Sequence, residues 1–323
     1  MLIKCEVNTW ANSYSAYNKL LATKQFKVYG NAMSLLYGDN FADKVSLSNS
    51  YSLLCLLREN STLVDISNLV LPATTLRAGC YYRMFYNCTG LTSIPQNLLP
   101  ATTMTELCYK EMFYGCTSLT NVPNLPAMTL VNGCYEGMFY GCTSLTTIPQ
   151  NLLPVTTLAS SCYRSMFDRC ASLTNVPNLP AMTLAADCYR GMFNRCVSLA
   201  SVPTNLLPAT TLADGCYKYM FCSCANIVEA PILPAPTLVK DCYYYMFGYD
   251  SAMGIQDFKL AFITCLATDI SATDALTNWV TWTNAHSSVS NGTFVKAAGA
   301  TWPTGVNGIP SGWTVQDYVE PSN

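Results

Sequence analysis

The chain has 323 residues, half of them hydrophobic and only 11% charged, with a formal net charge of −2. That balance supplies no basic field for nucleic acid, and the lysines and arginines are scattered along the sequence rather than clustered. No stretch approaches the roughly 20 consecutive apolar residues of a membrane span.

The opening Met1-Leu2-Ile3-Lys4-Cys5-Glu6 is charged and broken at Asn8, with no hydrophobic signal core or small-residue cleavage site. Either a leader has been trimmed away or the chain reaches its location without one. Residues 1–45 read as an N-terminal capping segment. Phe26 to Tyr29 has the pattern of a short strand, with Gly30 and Gly38-Asp39-Asn40 as turns.

From residue 46 to 254 the sequence repeats. A Cys-Tyr pair recurs at Cys80, Cys108, Cys134, Cys162, Cys188, Cys216 and Cys242, at intervals alternating between 28 and 26 residues. Self-similarity at such a period means a solenoid whose units contact only their neighbours. A degenerate first unit precedes the array: Leu56-Leu57 aligns with Met84-Phe85, and Ser52 and Asn60 stand where the two cysteines would be. Terminal repeats are expected to be atypical because they close the stack.

Each unit holds two patterns. In Gly133-Cys134-Tyr135-Glu136-Gly137-Met138-Phe139-Tyr140-Gly141-Cys142, Cys134, Met138 and Cys142 stand at i, i+4 and i+8, with Tyr135 and Phe139 at i+1 and i+5. This spacing predicts a short amphipathic helix facing the core. The residue before the first Cys (Gly79, Gly133, Ser161, Asp187, Gly215 or Asp241; Leu107 is the exception) would be its N-cap. The second pattern, Leu-Thr-x-Ile/Val-Pro, predicts a short strand with one wet face, ended by Pro95, Pro123, Pro149, Pro177, Pro203 and Pro231. Ile-Pro-Gln-Asn-Leu-Leu-Pro alternates with Val-Pro-Asn-Leu-Pro and produces the 28/26 rhythm, so the genetic unit is a 54-residue pair.

The last repeat decays, with Asp250 at a cysteine position and Met253 at a leucine position. Residues 255–323 read as a C-terminal strand-helix-strand cap: Phe258 to Ala267, an amphipathic helix from Thr273 to Thr283, and Gly292 to Val295. Exposed tryptophans in the closing segment, Trp302 and Trp313, could add to a ligand site.

The 17 cysteines would suggest a disulfide framework in a small secreted protein. Cysteines two helical turns apart, or on helices packed about 8–10 Å apart, are too distant to bridge, so they read as buried thiols. No enzyme is expected. The single histidine, His286, sits in a polar stretch, the carboxylates do not recur in register, and Cys-x7-Cys is far from zinc spacing. Catalytic, cofactor and metal sites are therefore all read as none.

Two surfaces remain. The strand face presents Thr92, Ser93, Thr120, Asn121, Thr146, Thr147, Thr174, Asn175 and Ser201, ending at Glu229. Stacked at about 4.8 Å, these would form a hydroxyl and amide ladder that either binds glycan or protein or merely solvates the sheet. The other face presents the most variable residues: Tyr82-Arg83, Lys110-Glu111, Arg164, Asp168-Arg169, Arg190, Arg195, Lys218-Tyr219 and Tyr244-Tyr245. The 21 tyrosines suit either a recognition surface or packing with a wet end.

The repeated Met-Phe-x-x-Cys-x-Ser-Leu-Thr core and the Leu-Pro-Ala-Thr-Thr-Leu connector, across residues 47–250, resemble the BspA-like leucine-rich repeats of gut Bacteroides and other host-associated microbes. Similar repeats occur in tail or fibre proteins of gut phages. The resemblance implies an α/β, right-handed leucine-rich-repeat solenoid, with a short strand and a short helix per repeat and a cap at each end. It also implies a non-enzymatic adhesion module at the cell surface or outside the cell, or in a virion, whose partner is a host or bacterial surface protein or glycan. The alternative is a structural spacer or fibre component. Oligomeric state is left open.

Overall fold

The computed structural model describes residues 17, 19–249, 258–280 and 291–320. The expectations placed on Asp250, Met253 and His286, and on the boundary at residue 254, lie outside these residues.

The Met-Phe segments are not helices. Among the described residues the α-helix is confined to α1, Ser34–Tyr37. Each segment is instead a run of overlapping four-residue turns. The N–H groups of Cys134, Glu136, Met138, Tyr140 and Cys142 donate three residues back, at 3.1–3.3 Å. The intervening N–H groups of Gly133, Tyr135, Gly137, Phe139 and Gly141 donate to carbonyls of the next repeat, Ser160 to Asp168, at 2.7–3.1 Å.

Every fourth residue is left-handed: Gly133 and Gly137 (φ 59°) and Gly141 (φ 68°) in this unit, and Leu107 (φ 55°), Ser161 (φ 53°) and Asp187 (φ 53°) at the start of others. These starting residues, all but Leu107 expected as N-caps, are the third residues of turns that require a positive φ. The reason is dimensional. Helices pack about 8–10 Å apart, whereas parallel layers advance about 4.8 Å. Only a flat ribbon of turns can share so short a step.

The step is visible in the core. Phe85, Phe113, Phe139, Phe167, Phe193, Phe221 and Phe247 stack ring on ring at 5.2–5.9 Å, nearly parallel. Tyr81 through Tyr243 form a second stack at 5.7–6.1 Å. Offset stacking suits the ring quadrupoles, and every one of these side chains is buried. In the degenerate first unit Ser52 and Asn60 are buried too. The Asn60 amide donates to the Leu57 carbonyl at 2.9 Å, the oxygen that also accepts from Cys88 Sγ, and its Oδ1 accepts from Ala22 N–H.

The expected strands are realised at the ends of the described coil. β1 (Phe26–Lys27) pairs with β3 (Leu63–Asp65), and β2 (Gly30–Asn31) with β4 (Leu69–Val70), all parallel. At the other end β5 (Phe262–Cys265), β6 (Thr293–Lys296) and β7 (Thr314–Asp317) form a parallel sheet in that order. Bridges from Glu229 to Phe262 and from Leu233 to Cys265 join this sheet to the last repeats. Between the ends, Leu91–Ile94 and its equivalents are extended but carry no strand ladder, because side chains replace half of the backbone partners, as described below.

The tail also departs from expectation. The segment from Thr273 is another turn ribbon, left-handed at Asp274 (φ 57°) and Asn278 (φ 51°), and it accepts N–H groups from Tyr243, Tyr245 and Phe247 just as a repeat would. Trp302 and Trp313 are buried rather than exposed. Trp302 donates through Nε1 to the Ala267 carbonyl, and Trp279 to that of Gly308. These rings close the core and are unavailable to a ligand.

Candidate recognition surfaces

On the strand face the nine expected residues divide into two groups. Asn121 is half-buried and clamps the preceding repeat: its Oδ1 accepts from Ile94 N–H and its Nδ2 donates to Ile94 O, both at 2.8 Å. One pair further along, Asn175 clamps Ile148 in the same way, at 2.9 and 2.8 Å. Thr120 and Thr174 hydroxyls donate to the carbonyls of Thr92 and Thr146. Gln96 and Gln150 reach forward to Val122 and Val176 carbonyls, both at 3.1 Å. The 54-residue pair is thus a physical unit held by side-chain amides. Adjacent pairs are joined elsewhere, by Ser144 N–H to Thr117 O and Ser198 N–H to Ala171 O.

The other five (Thr92, Ser93, Thr146, Thr147 and Ser201) are exposed, and the structure gives their side chains no internal hydrogen bond. In the third pair the clamp position is Glu229, an acceptor only when ionised, and it sits instead at the bridge to β5.

A second hydroxyl column was not foreseen. Ser46, Thr75, Thr103 and Thr129 are joined in succession by parallel bridges, as are Thr157 and Thr183, and all are exposed. The signal lay in the connector Ala-Thr-Thr-Leu, whose Thr recurs in every regular unit.

The turn face carries the charges. Arg83 pairs with Glu111 at 2.5 Å and Lys110 with Glu136 at 2.9 Å, each across one repeat step. Tyr86, Tyr114 and Tyr140 stack at 4.6 and 4.3 Å, with Arg58 over one end at 4.9 Å and Arg169 over the other at 5.6 Å. Their ring faces are therefore consumed by one another and by guanidinium groups, which excludes this stack as a platform for a sugar ring. The next residue in the column, Asp168, is buried. Its Oδ2 accepts from Asn194 Nδ2 at 3.0 Å, its Oδ1 has no partner, and burial pushes its carboxyl up to about 7.

The thiols are inert by environment. Sixteen described cysteines are buried and unbridged. Those of the second column, from Cys88 to Cys224, donate Sγ–H to a carbonyl of the preceding repeat at 3.0–3.3 Å. Burial raises Cys88 and Cys134 to about 12 and Cys108 to about 11, so the reactive thiolate is suppressed. The distance argument for free thiols assumed helical spacing; with turn ribbons the repeats stand closer, and the thiols are unbridged all the same.

Among the described residues no cluster of three or more His, Cys, Asp or Glu could hold a metal, and no helix is long and apolar enough to cross a membrane. A cavity of about 510 Å3 opens at the N-terminal end, lined by apolar groups that include Leu20, Phe26, Val28, Leu35 and Phe41.

No curated protein matches the chain. A solved structure with some likeness, a leucine-rich repeat protein from Bacteroides ovatus, is 13% identical and covers 73% of this chain and 77% of its own, with a TM-score of 0.23, too low to carry an argument. Six copies of the BspA type leucine rich repeat match residues 62–200. The Met-Phe turn ribbons, stacked aromatic columns and amide clamps of residues 62–200 are thus similar to a BspA type leucine rich repeat region.

Proposed function

We propose that the chain is a non-enzymatic recognition module that binds a surface protein or glycan through its strand face, at the cell surface or outside the cell. The observation that carries this reading is the exposed row of Thr92, Ser93, Thr146, Thr147 and Ser201, whose hydroxyls are not used inside the coil. These hydroxyls stand on alternate repeats, about twice the ~4.8 Å layer step apart, and offer paired donors and acceptors to a polar ligand. The repeat family supports a protein-interaction or surface module. In this reading residues 1–45 and 255–323 cap a right-handed solenoid spanning 46–254.

The test is one set of four substitutions. Replacing Thr92, Ser93, Thr146 and Thr147 by alanine should abolish binding to the cognate cell surface or to a hit from a glycan and surface-protein array, with thermal stability unchanged. Full retention of binding would remove the strand-face reading. A second reading, a structural spacer or fibre component presenting another domain, is favoured by the internal use of Thr120, Asn121, Thr174 and Asn175. It predicts no binding even by the unaltered chain.

A further inference from the structure

The turn face changes its charge rule midway. In the earlier repeats cations and carboxylates alternate along the stack, as Arg83 with Glu111 and Lys110 with Glu136. At the position two residues after the first Cys, the next three repeats instead carry Arg164, Arg190 and Lys218. The equivalent rings of those repeats, Tyr163, Tyr189 and Tyr217, stand 5.9 and 6.0 Å apart, so the backbone positions that carry the three cations follow at about that step. Like charges facing one another across adjacent chains are destabilising, and nothing in the packing requires them here, because these side chains lie on the outer surface at 38%, 31% and 17% exposure.

Arg169 and Arg195 stand in the same repeats. The counter-charges are modest. Asp187 lies 3.6 Å from Arg190, Asp241 lies 3.2 Å from Lys218, and Glu136, already paired with Lys110, is 3.9 Å from Arg164. Asp168 is buried and half-neutral near pH 7. In a chain of net charge −2, residues 164 to 218 thus hold five cations against Asp168, Asp187 and Asp214, with Arg164, Arg190 and Lys218 each within 4 Å of one carboxylate.

We propose that this file, Arg164–Arg190–Lys218, is a second binding site, distinct from the strand face, for a linear sulfated or multiply carboxylated glycan. Guanidinium groups bind sulfate and carboxylate through paired, charge-assisted hydrogen bonds. One cation per repeat in a straight row matches a polymer with an anionic group at regular intervals. An acidic peptide, whose side chains alternate in direction, matches it less well. Tyr219 and Tyr244, each in cation–π contact with Lys218, flank the row and could hold sugar rings edge-on.

The experiment measures binding of the whole chain to a size-defined heparin oligosaccharide, its desulfated form, poly-glutamate and a duplex oligonucleotide at low salt. The expected result is salt-sensitive binding to the sulfated oligosaccharide alone. It should weaken about ten-fold in Arg164→Gln/Arg190→Gln and remain unchanged in Lys24→Gln/Lys44→Gln, which removes charge at the other end. If the Gln pair unfolds, Arg164→Lys/Arg190→Lys keeps charge but loses the fork and should weaken binding less. No binding by the unaltered chain, equal binding to poly-glutamate or the oligonucleotide, or equal loss in the Lys24/Lys44 variant would each overturn the proposal. Because the strand-face threonines are untouched, failure here leaves the strand-face reading standing.

Discussion

On the strand face Asn121 and Asn175, at the same place in successive pairs of repeats, are engaged within the chain, where they complete the backbone pairing of Ile94 and Ile148. On the turn face the residues that vary from repeat to repeat decide what the surface offers, because the ribbon's amides are satisfied by backbone carbonyls alone. Faithful copying in a solenoid therefore marks internal hydrogen bonding as readily as it marks a ligand site. The variable positions are where neighbouring repeats can be matched in charge, as Lys110 is with Glu136, or left unmatched, as Arg164 is with Arg190.

The sharpest test of this contrast is Asp168, the one buried carboxyl among the described residues. Its folded value of about 7 lies above the ~3.9 of an unfolded chain. The folded state therefore binds the extra proton between these values, and stability falls as pH rises from about 4 to about 7. Asp168→Asn keeps the acceptor for Asn194 and should stabilise the protein above pH 7 by as much as ~4 kcal/mol, with the pH slope flattened in urea titrations. An unchanged slope would mean that this carboxyl titrates normally.

Next come the clamps. Asn175→Ala leaves the Ile148 N–H and C=O without partners and should cost ~2 kcal/mol, whereas Thr147→Ala beside it should stay within ~0.5 kcal/mol. Equal costs measured by chemical denaturation would erase the division of the strand face into internal and available residues.

Gly141→Ala probes the turn ribbon. A Cβ there has room, its nearest neighbour across the repeats being Gly115 Cα at 3.8 Å, so only the positive φ is penalised, at ~1 kcal/mol. A true helix would gain stability from that change, so the sign of the shift in Tm decides between ribbon and helix. The smallest effect is expected at Tyr109, whose buried hydroxyl has no partner. Tyr109→Phe should be neutral or stabilise by less than ~1 kcal/mol.

The repeat and the identity of the core were legible without coordinates. Cys, Tyr, Met, Phe and Leu recur at fixed offsets, and all of them are buried in the regular units. The 54-residue pair was legible as an alternation in length, although its meaning was not. The candidate site was legible only as a list of polar residues: five of nine are available, four are engaged, and the connector threonines were passed over.

The helix expectation failed for a reason contained in the motif. Apolar residues at i, i+4 and i+8 fit both an amphipathic helix and a ribbon of four-residue turns, because the two share a period close to four. Gly133, Gly137 and Gly141 were the discriminating signal, since glycine is costly inside a helix and favoured at positive φ. Sequence by itself determined which residues face inward, because burial follows composition and period. Which amide finds which carbonyl, and which cations stand in file, depends on partners 26 or 28 residues away, and only the stacking of the repeats brings those together.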